Sequence, residues 1–292
     1  VAVAWGALVI SLSRVVWVLL WNRLGGMWDA WSYAPDFSWL SFFRALAGHV
    51  AGLATLALML AASYGAGRPL ARFLGAGSGP TRTFLQAAFG WGAISFIQQG
   101  LGYPGLYFRG LFAVEAVLLA LLGALALWRD RPWRELAGAD WKSEWPRLLI
   151  LGLVLASAHL LSRMPDTDED ARLYHLAGPE SYLLVHKIFA VPEHFAWHMP
   201  FGAEMDFIIP FTLGGITLAK QVNVAALIIL LGLAWRLSHS LGRGSLWSAV
   251  WVGTAGLVLG QCWEGKNDLM LAMYCTGAAL GAVEAVKGGR KW

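Results

Sequence analysis

The feature that most constrains this chain is a series of windows of about 20 residues with almost no uncompensated charge. A helix of that length rises about 30 Å, the thickness of a bilayer's hydrocarbon core. Eight such stretches follow one another, at roughly 3–21, 45–64, 83–102, 110–128, 147–163, 221–238, 246–262 and 268–286. Charged residues make up 14% of the chain and apolar residues 58%, with a mean hydropathy of +0.56. Soluble domains carry about 25% charged residues, so one water-soluble core is excluded. The expected fold is an all-α integral membrane protein with about eight transmembrane helices.

Loop charge sets the orientation. Segment 65–82 carries Arg68, Arg72 and Arg82, and segment 129–146 carries Arg129, Arg131, Arg134 and Lys142. Arg236 and Arg243 follow the sixth stretch, and Lys287, Arg290 and Lys291 end the chain. All four groups fall on one side, the cytoplasmic one by the positive-inside rule, provided that 207–219 does not cross. That stretch is about 13 residues long and contains Pro210, Gly214 and Gly215, which suits an interfacial or re-entrant helix. The expected division is a four-span helical module over 1–146, then 147–292 with an outer loop at 164–219 and three further spans.

The net charge of +4 sits in these short loops, which gives no reason to expect nucleic acid. Trp21, Trp39, Trp128, Trp145 and Trp263 end apolar runs, as an interfacial belt does. Arg14 lies inside the first run, where it either marks function or snorkels to the surface. Cys262 and Cys275 lie in or beside apolar runs and read as small hydrophobes.

Segment 164–206 is acidic, aromatic and too long for a plain connector. Asp166, Asp168, Glu169 and Asp170 precede Tyr174 and His175, and His186, His194 and His198 follow. Its apolar residues suit two short amphipathic surface helices in series, broken at Gly178-Pro179, with Pro179 in a first turn. A carboxylate there can act as a general base on a hydroxyl or help hold a divalent cation. The same acids also fit helix capping, with Thr167-x-x-Asp170 as a capping box. Tyr174 and His175 fit substrate contact or an interfacial aromatic pair. A second acidic site, Trp263-Glu-Gly-Lys-Asn-Asp268, faces the same side, and Asn267 or Asp268 there also fits a cap. Phe195, Trp197 and Phe201 could stack on a sugar or lipid head group, or simply form an interfacial belt. His194 and His198 have a metal-compatible spacing, but Pro200 follows closely and no helix is assured. No nucleotide fingerprint, nucleophile elbow or HExxH motif is present, which disfavours soluble-type NTPases, dehydrogenases and serine hydrolases.

At Thr167-Asp-Glu-Asp-Ala-Arg-Leu-Tyr-His-Leu176 the sequence resembles GT-C class polytopic glycosyltransferases, in the bacterial branch related to aminoarabinose and protein mannosyl transferases. That branch carries a T-D-x-D-A-L-x-Y-H-L string followed by P-x-x-Y-L, matched here by Pro179-Glu-Ser-Tyr-Leu183. Asn267-Asp-Leu-Met-Leu-Ala272 is similar to its N-D-L-x-L-A, and Met199-Pro-Phe-Gly-Ala-Glu-Met205 loosely to its F-P-x-x-x-E-M. Glu169 and Arg172 depart from the pattern, which has an aromatic and an aliphatic residue there.

The resemblance implies a GT-C-like outer loop and an inverting transfer from a polyprenyl-phosphate sugar donor to an acceptor glycan, lipid or protein. Asp170, with Asp168 next and Asp268 from the second loop, would be the catalytic acids. Tyr174, His175, Arg172, Lys187, His198, Glu204 and Lys266 would contact substrate, with Arg172, His175, Lys187 and Lys266 as candidates for the lipid phosphate. A divalent cation is the one candidate cofactor. The setting would be a bacterial cytoplasmic membrane, among its lipids, with loop 164–219 in the periplasm. The family adds further helices and an outer C-terminal domain, so the resemblance reads this sequence as the N-terminal part of a longer protein. Two other readings stay open: a non-catalytic membrane subunit whose outer loop docks a partner or lipid, and a transporter.

Overall fold

The computed structural model describes residues 39–76, 79–137, 141–166, 168–191, 202–242 and 244–287. Among them the regular structure is helical throughout, with no strand. The helices are α1 (Trp39–Phe73), α2 (Gly79–Gly102), α3 (Arg109–Asp130), α4 (Pro132–Ala137), α5 (Trp141–Ser162), α6 (Ala177–Val185), α7 (Ile208–Ala219), α8 (Gln221–Ser240), α9 (Trp247–Gly253), α10 (Gly256–Glu264) and α11 (Asp268–Lys287).

Among the described residues five helices are long and apolar enough to cross a membrane: α1 from Phe42, α3, α5, α8 and α11. They match five of the eight expected spans, and the chain is a multi-pass membrane protein. Stretch 3–21, with Arg14, lies outside the described residues. Stretch 83–102 falls within α2, which is long enough to cross but more polar. Its Gln86 and Gln98 are fully buried, with Gln86 Nε2 donating to the Tyr64 carbonyl at 2.8 Å and Gln98 Nε2 to Glu115 Oε1 at 2.7 Å. Stretch 246–262 is divided, because Ala255 takes extended backbone (ψ 124°) and separates α9 from α10. The apolar stretch 207–219 forms α7, a helix of 12 residues broken at Gly214-Gly215, where Gly215 has φ 72°. At about 18 Å, α7 is shorter than a hydrocarbon core.

Helix α8 is the hub. Its most apolar window is 72% buried, against 22–33% for the other candidate spans, so α8 faces protein while the others face lipid. Leu118, Leu121, Leu122 and Leu125 of α3 and Leu149, Leu153 and Leu160 of α5 are exposed in this way. Trp128 and Trp145 are exposed too, as a belt requires. Glycines let α1, α2 and α3 cross with backbones in contact. A Cβ on Gly65 would lie 2.7 Å from the Gly123 nitrogen, and one on Gly90 would strike the Ser63 carbonyl.

The two ends of the bundle differ in charge. At one end Arg68 forms a bidentate pair with Asp130 (2.7 Å and 2.9 Å), and Arg236 Nε donates to Thr81 Oγ1 at 3.0 Å. The Trp141 and Trp235 rings meet there at 5.8 Å, and Ser240 bonds Glu284. The segments expected to share the basic side therefore meet at one end. Segment 164–206 and the link 263–268 meet at the other.

Candidate functional site

The first half of the site grows from the end of α5. Asp166 Oδ1 accepts the Asp168 N–H at 3.0 Å, and Asp168 Oδ1 accepts the Ala171 N–H at 3.0 Å. Asp168 thus caps the helix that begins at Glu169. Asp170 makes no side-chain cap bond, and Thr167, the other half of the expected capping box, lies outside the described residues. The helix continues as a π-turn over Ala171–His175, closed by Leu176 N–H to the Ala171 carbonyl at 2.8 Å. Single π-turns inside helices recur at functional sites. Helix α6 follows in series with Pro179 in its first turn, as expected, but the break falls at Leu176 and not at Gly178-Pro179.

The second half is the turn between α10 and α11. Gly265 adopts φ 60°, ψ 26°, the left-handed residue that ends a helix. A Cβ there would lie 2.7 Å from Leu176 Cδ1 and 3.0 Å from Asp166 Oδ2. Glycine therefore both turns the chain and lets the second loop press against the first. Lys266 reaches across, its Nζ 2.8 Å from Asp168, 3.7 Å from Glu264 and 3.9 Å from Asp170.

Electrostatics follow from this geometry. Burial pushes the Asp168 carboxyl up, but the Lys266 bond and the Ala171 N–H outweigh it and hold Asp168 below its ordinary value. Burial pulls Lys266 down, but Asp168, Glu264 and Asp170 outweigh it and hold the ammonium above its ordinary value. For Asp166 and Glu264 burial wins, and both carboxyls lie above the usual range. Behind them Lys220, fully buried, donates to the Met164 carbonyl at 2.5 Å.

A third element completes the site, the 3₁₀ turn Glu204–Phe207. Glu204 is 2% exposed and its Oε1 meets two partners, His175 Nδ1 at 2.7 Å and Asn267 Nδ2 at 2.8 Å. Asn267 occupies the cap position of α11, where its carbonyl accepts the Met270 N–H at 3.0 Å. Its side chain turns away to Glu204 instead of capping. Asp206, one turn position on, is 1% exposed; burial and then Glu204 raise its carboxyl well above the usual range.

The structure brings together Asp168, Asp170, Tyr174, His175, Glu204 and Lys266. The Tyr174 ring packs on His175 at 4.2 Å, and its phenol is raised by burial and then by Asp170. Asp170 keeps 56% of its side chain exposed. Arg172 is exposed on the π-turn, and Asp268 is exposed in the first turn of α11. Lys266 and Asn267, not Asp268, make the second loop's contacts with the first and with Glu204. Lys187 sits elsewhere, beside Gly105, where Tyr107 N–H bonds the His186 carbonyl. His194 and His198 lie outside the described residues.

Among the described residues no group of three or more His, Cys, Asp or Glu could hold a metal ion. The Lys266 ammonium is in contact with Asp168, Asp170 and Glu264, and Lys220 acts on Asp166 from behind. The sequence offers Asn267 or Asp268 as a cap and gives Asp166 and Glu264 no separate role. Their signal was their nearness to Asp168 and Lys266. His49 Nδ1 meets His159 Nε2 at 3.2 Å, and His159 Nδ1 meets Gln221 Oε1 at 3.0 Å, a polar chain linking α1, α5 and α8. No family model, curated protein or solved structure matches this chain.

Proposed function

We propose that this chain is a membrane glycosyltransferase that moves a sugar from a polyprenyl-phosphate carrier to an acceptor hydroxyl at the outer face of a bacterial cytoplasmic membrane. The observation that carries the reading is the meeting of two distant loops at one end of the bundle, with Lys266 of the second paired to Asp168 of the first at 2.8 Å. The acceptor O–H gives up its proton, its oxygen bonds the anomeric carbon from behind, and the carrier phosphate leaves with the electron pair. Inversion follows from this single displacement. Such a step needs a base near the acceptor and a cation near the leaving phosphate. Asp170 and Asp168 are the carboxylates that the GT-C resemblance nominates, and Lys266 is the cation held among them. Tyr174 and the exposed Arg172 line the same surface. The basic loops at the opposite end support an outward-facing site.

The test is transfer by the purified chain in proteoliposomes, with polyprenyl-phosphate sugars as donors and lipid, glycan and peptide acceptors. Turnover that falls at least about tenfold in Asp168→Asn and in Lys266→Gln is expected, since each removes a charge from the assembled site. Turnover at the wild-type rate in the double variant would sink the reading.

A second reading draws on one observation. Leu173, Leu184 and Val185 of the outer segment are exposed, Leu184 by 70%. A non-catalytic subunit could dock a partner or lipid there. Loss of complex formation on Leu184→Glu, with no turnover by the wild-type chain, would favour it.

A further inference from the structure

We propose that His175, held by Glu204, is the group that takes the acceptor's proton in this site, and that Asp170 is not. The assignment of the proton's source rests on the transferase reading; the pair itself rests on geometry.

The His175–Glu204 contact of 2.7 Å lies in the charge-assisted range. An ionised carboxylate only accepts, so Nδ1 carries the hydrogen and Nε2 keeps a lone pair. The Asn267 amide donates to the same carboxylate oxygen from the second loop. Two donors on Oε1 mark it as an acceptor and fix its position. Among the described residues His175 is the one ion-pair partner of Glu204. A buried carboxylate is costly without a cation. His175 is the side chain placed to supply that cation when Nε2 takes up a proton. The π-turn ends on His175 and the Tyr174 ring packs against it, which fixes the imidazole plane.

The competing carboxylates are placed less well. Asp168 is committed to Lys266 and to the Ala171 N–H. Asp170 keeps over half of its side chain in water, with Lys266 3.9 Å away. Imidazole is the side chain that most often serves as a general base. A base oriented by a carboxylate, itself held by a third group, is the arrangement that activates oxygen nucleophiles on unrelated folds. Glu204 and Asn267 are positioning residues here. Among the described residues, the other charged or titratable groups around the pair are Asp168, Asp170 and Tyr174 of its own segment, Tyr182 of α6, Asp206 beside Glu204, and Lys266 of the second loop.

The proton balance closes. The acceptor's proton passes to His175 Nε2 as the new C–O bond forms and the carrier phosphate departs. His175 then returns the proton to water at the outer face.

The test uses the full chain in nanodiscs, labelled with 15N-histidine, beside transfer assays. His175 is expected as the Nδ1–H tautomer in the wild-type chain. His175→Gln should lower kcat about 10²- to 10⁴-fold with KM little changed. Glu204→Gln should abolish the preference for the Nδ1–H tautomer, because an amide at 204 can donate as well as accept. An Nε2–H tautomer overturns the proposal whatever the variants do. So does wild-type activity in His175→Gln. A wild-type chain that transfers no sugar overturns the transferase reading, and the proton-accepting pair then stands or falls on the tautomer.

Discussion

Replacing Gly265 by Ala tests whether the two loops are held together by packing. Two separate costs follow. The left-handed backbone (φ 60°) costs an L-residue about 1–2 kcal/mol. The new methyl would also lie 2.7 Å from Leu176 Cδ1 and 3.1 Å from Leu176 Cγ, and Leu176 is 1% exposed, so it has little room to rotate away. Overpacking of a buried site costs about 1–3 kcal/mol. Together they give about 2–5 kcal/mol. Gly242→Ala separates the terms. Gly242 has φ 80° but nothing within 4 Å of its Cβ position, so only the backbone cost applies. The assay is equilibrium unfolding in mixed detergent micelles, with circular dichroism as readout. Gly265→Ala should be the more destabilised of the two by about 1–3 kcal/mol. Equal losses would refute the packing argument.

Further outcomes are expected. A double-mutant cycle on Asp168→Ala and Lys266→Ala should give a coupling of about 1 kcal/mol in the same unfolding assay. The Asp168 carboxyl is depressed on folding, so its contribution is present above about pH 4 and lost as pH falls through the lower folded value. The Lys266 ammonium is raised on folding, so its contribution is present below about pH 10 and lost as pH rises through the higher folded value. The coupling should therefore be unchanged between pH 5 and pH 9, and a midpoint inside that window would contradict the pairing. Gly90→Ala drives a methyl into the Ser63 carbonyl where α1 and α2 cross, and should cost about 3 kcal/mol or more, read as loss of folded protein on gel filtration. Gln221→Leu removes the acceptor at His159 Nδ1 and leaves it unpaired, and should cost about 1–3 kcal/mol of unfolding free energy.

Much of the architecture was legible because hydropathy over about 20 residues and loop charge act over long windows. The five long spans, the weakness of 207–219 and the joining of the two outer loops follow from those averages. Averages also hid things. Gln86 and Gln98 look ordinary within an apolar window, yet they make α2 a polar-cored helix whose partners lie on α1 and α3. The break at Ala255 carries no proline. Within the site, the string from Asp168 to His175 was readable as functional, but roles depend on partners remote in sequence. Asn267 reads as a cap until Glu204 draws its side chain away. His175 reads as one of several contacts until the 2.7 Å bond to Glu204 orients it. Asp268 stands in the matching motif position, yet its neighbours Lys266 and Asn267 make the contacts.

The most direct test of the two-loop site needs no substrate. In a chain with Cys262→Ala and Cys275→Ser, cysteines at 204 and 267 should be joined in the membrane by a short thiol-to-thiol reagent. The pair Arg68→Cys and Asp130→Cys at the opposite end serves as the control. Joining at both ends is the predicted result. Joining of the control pair alone would contradict the account.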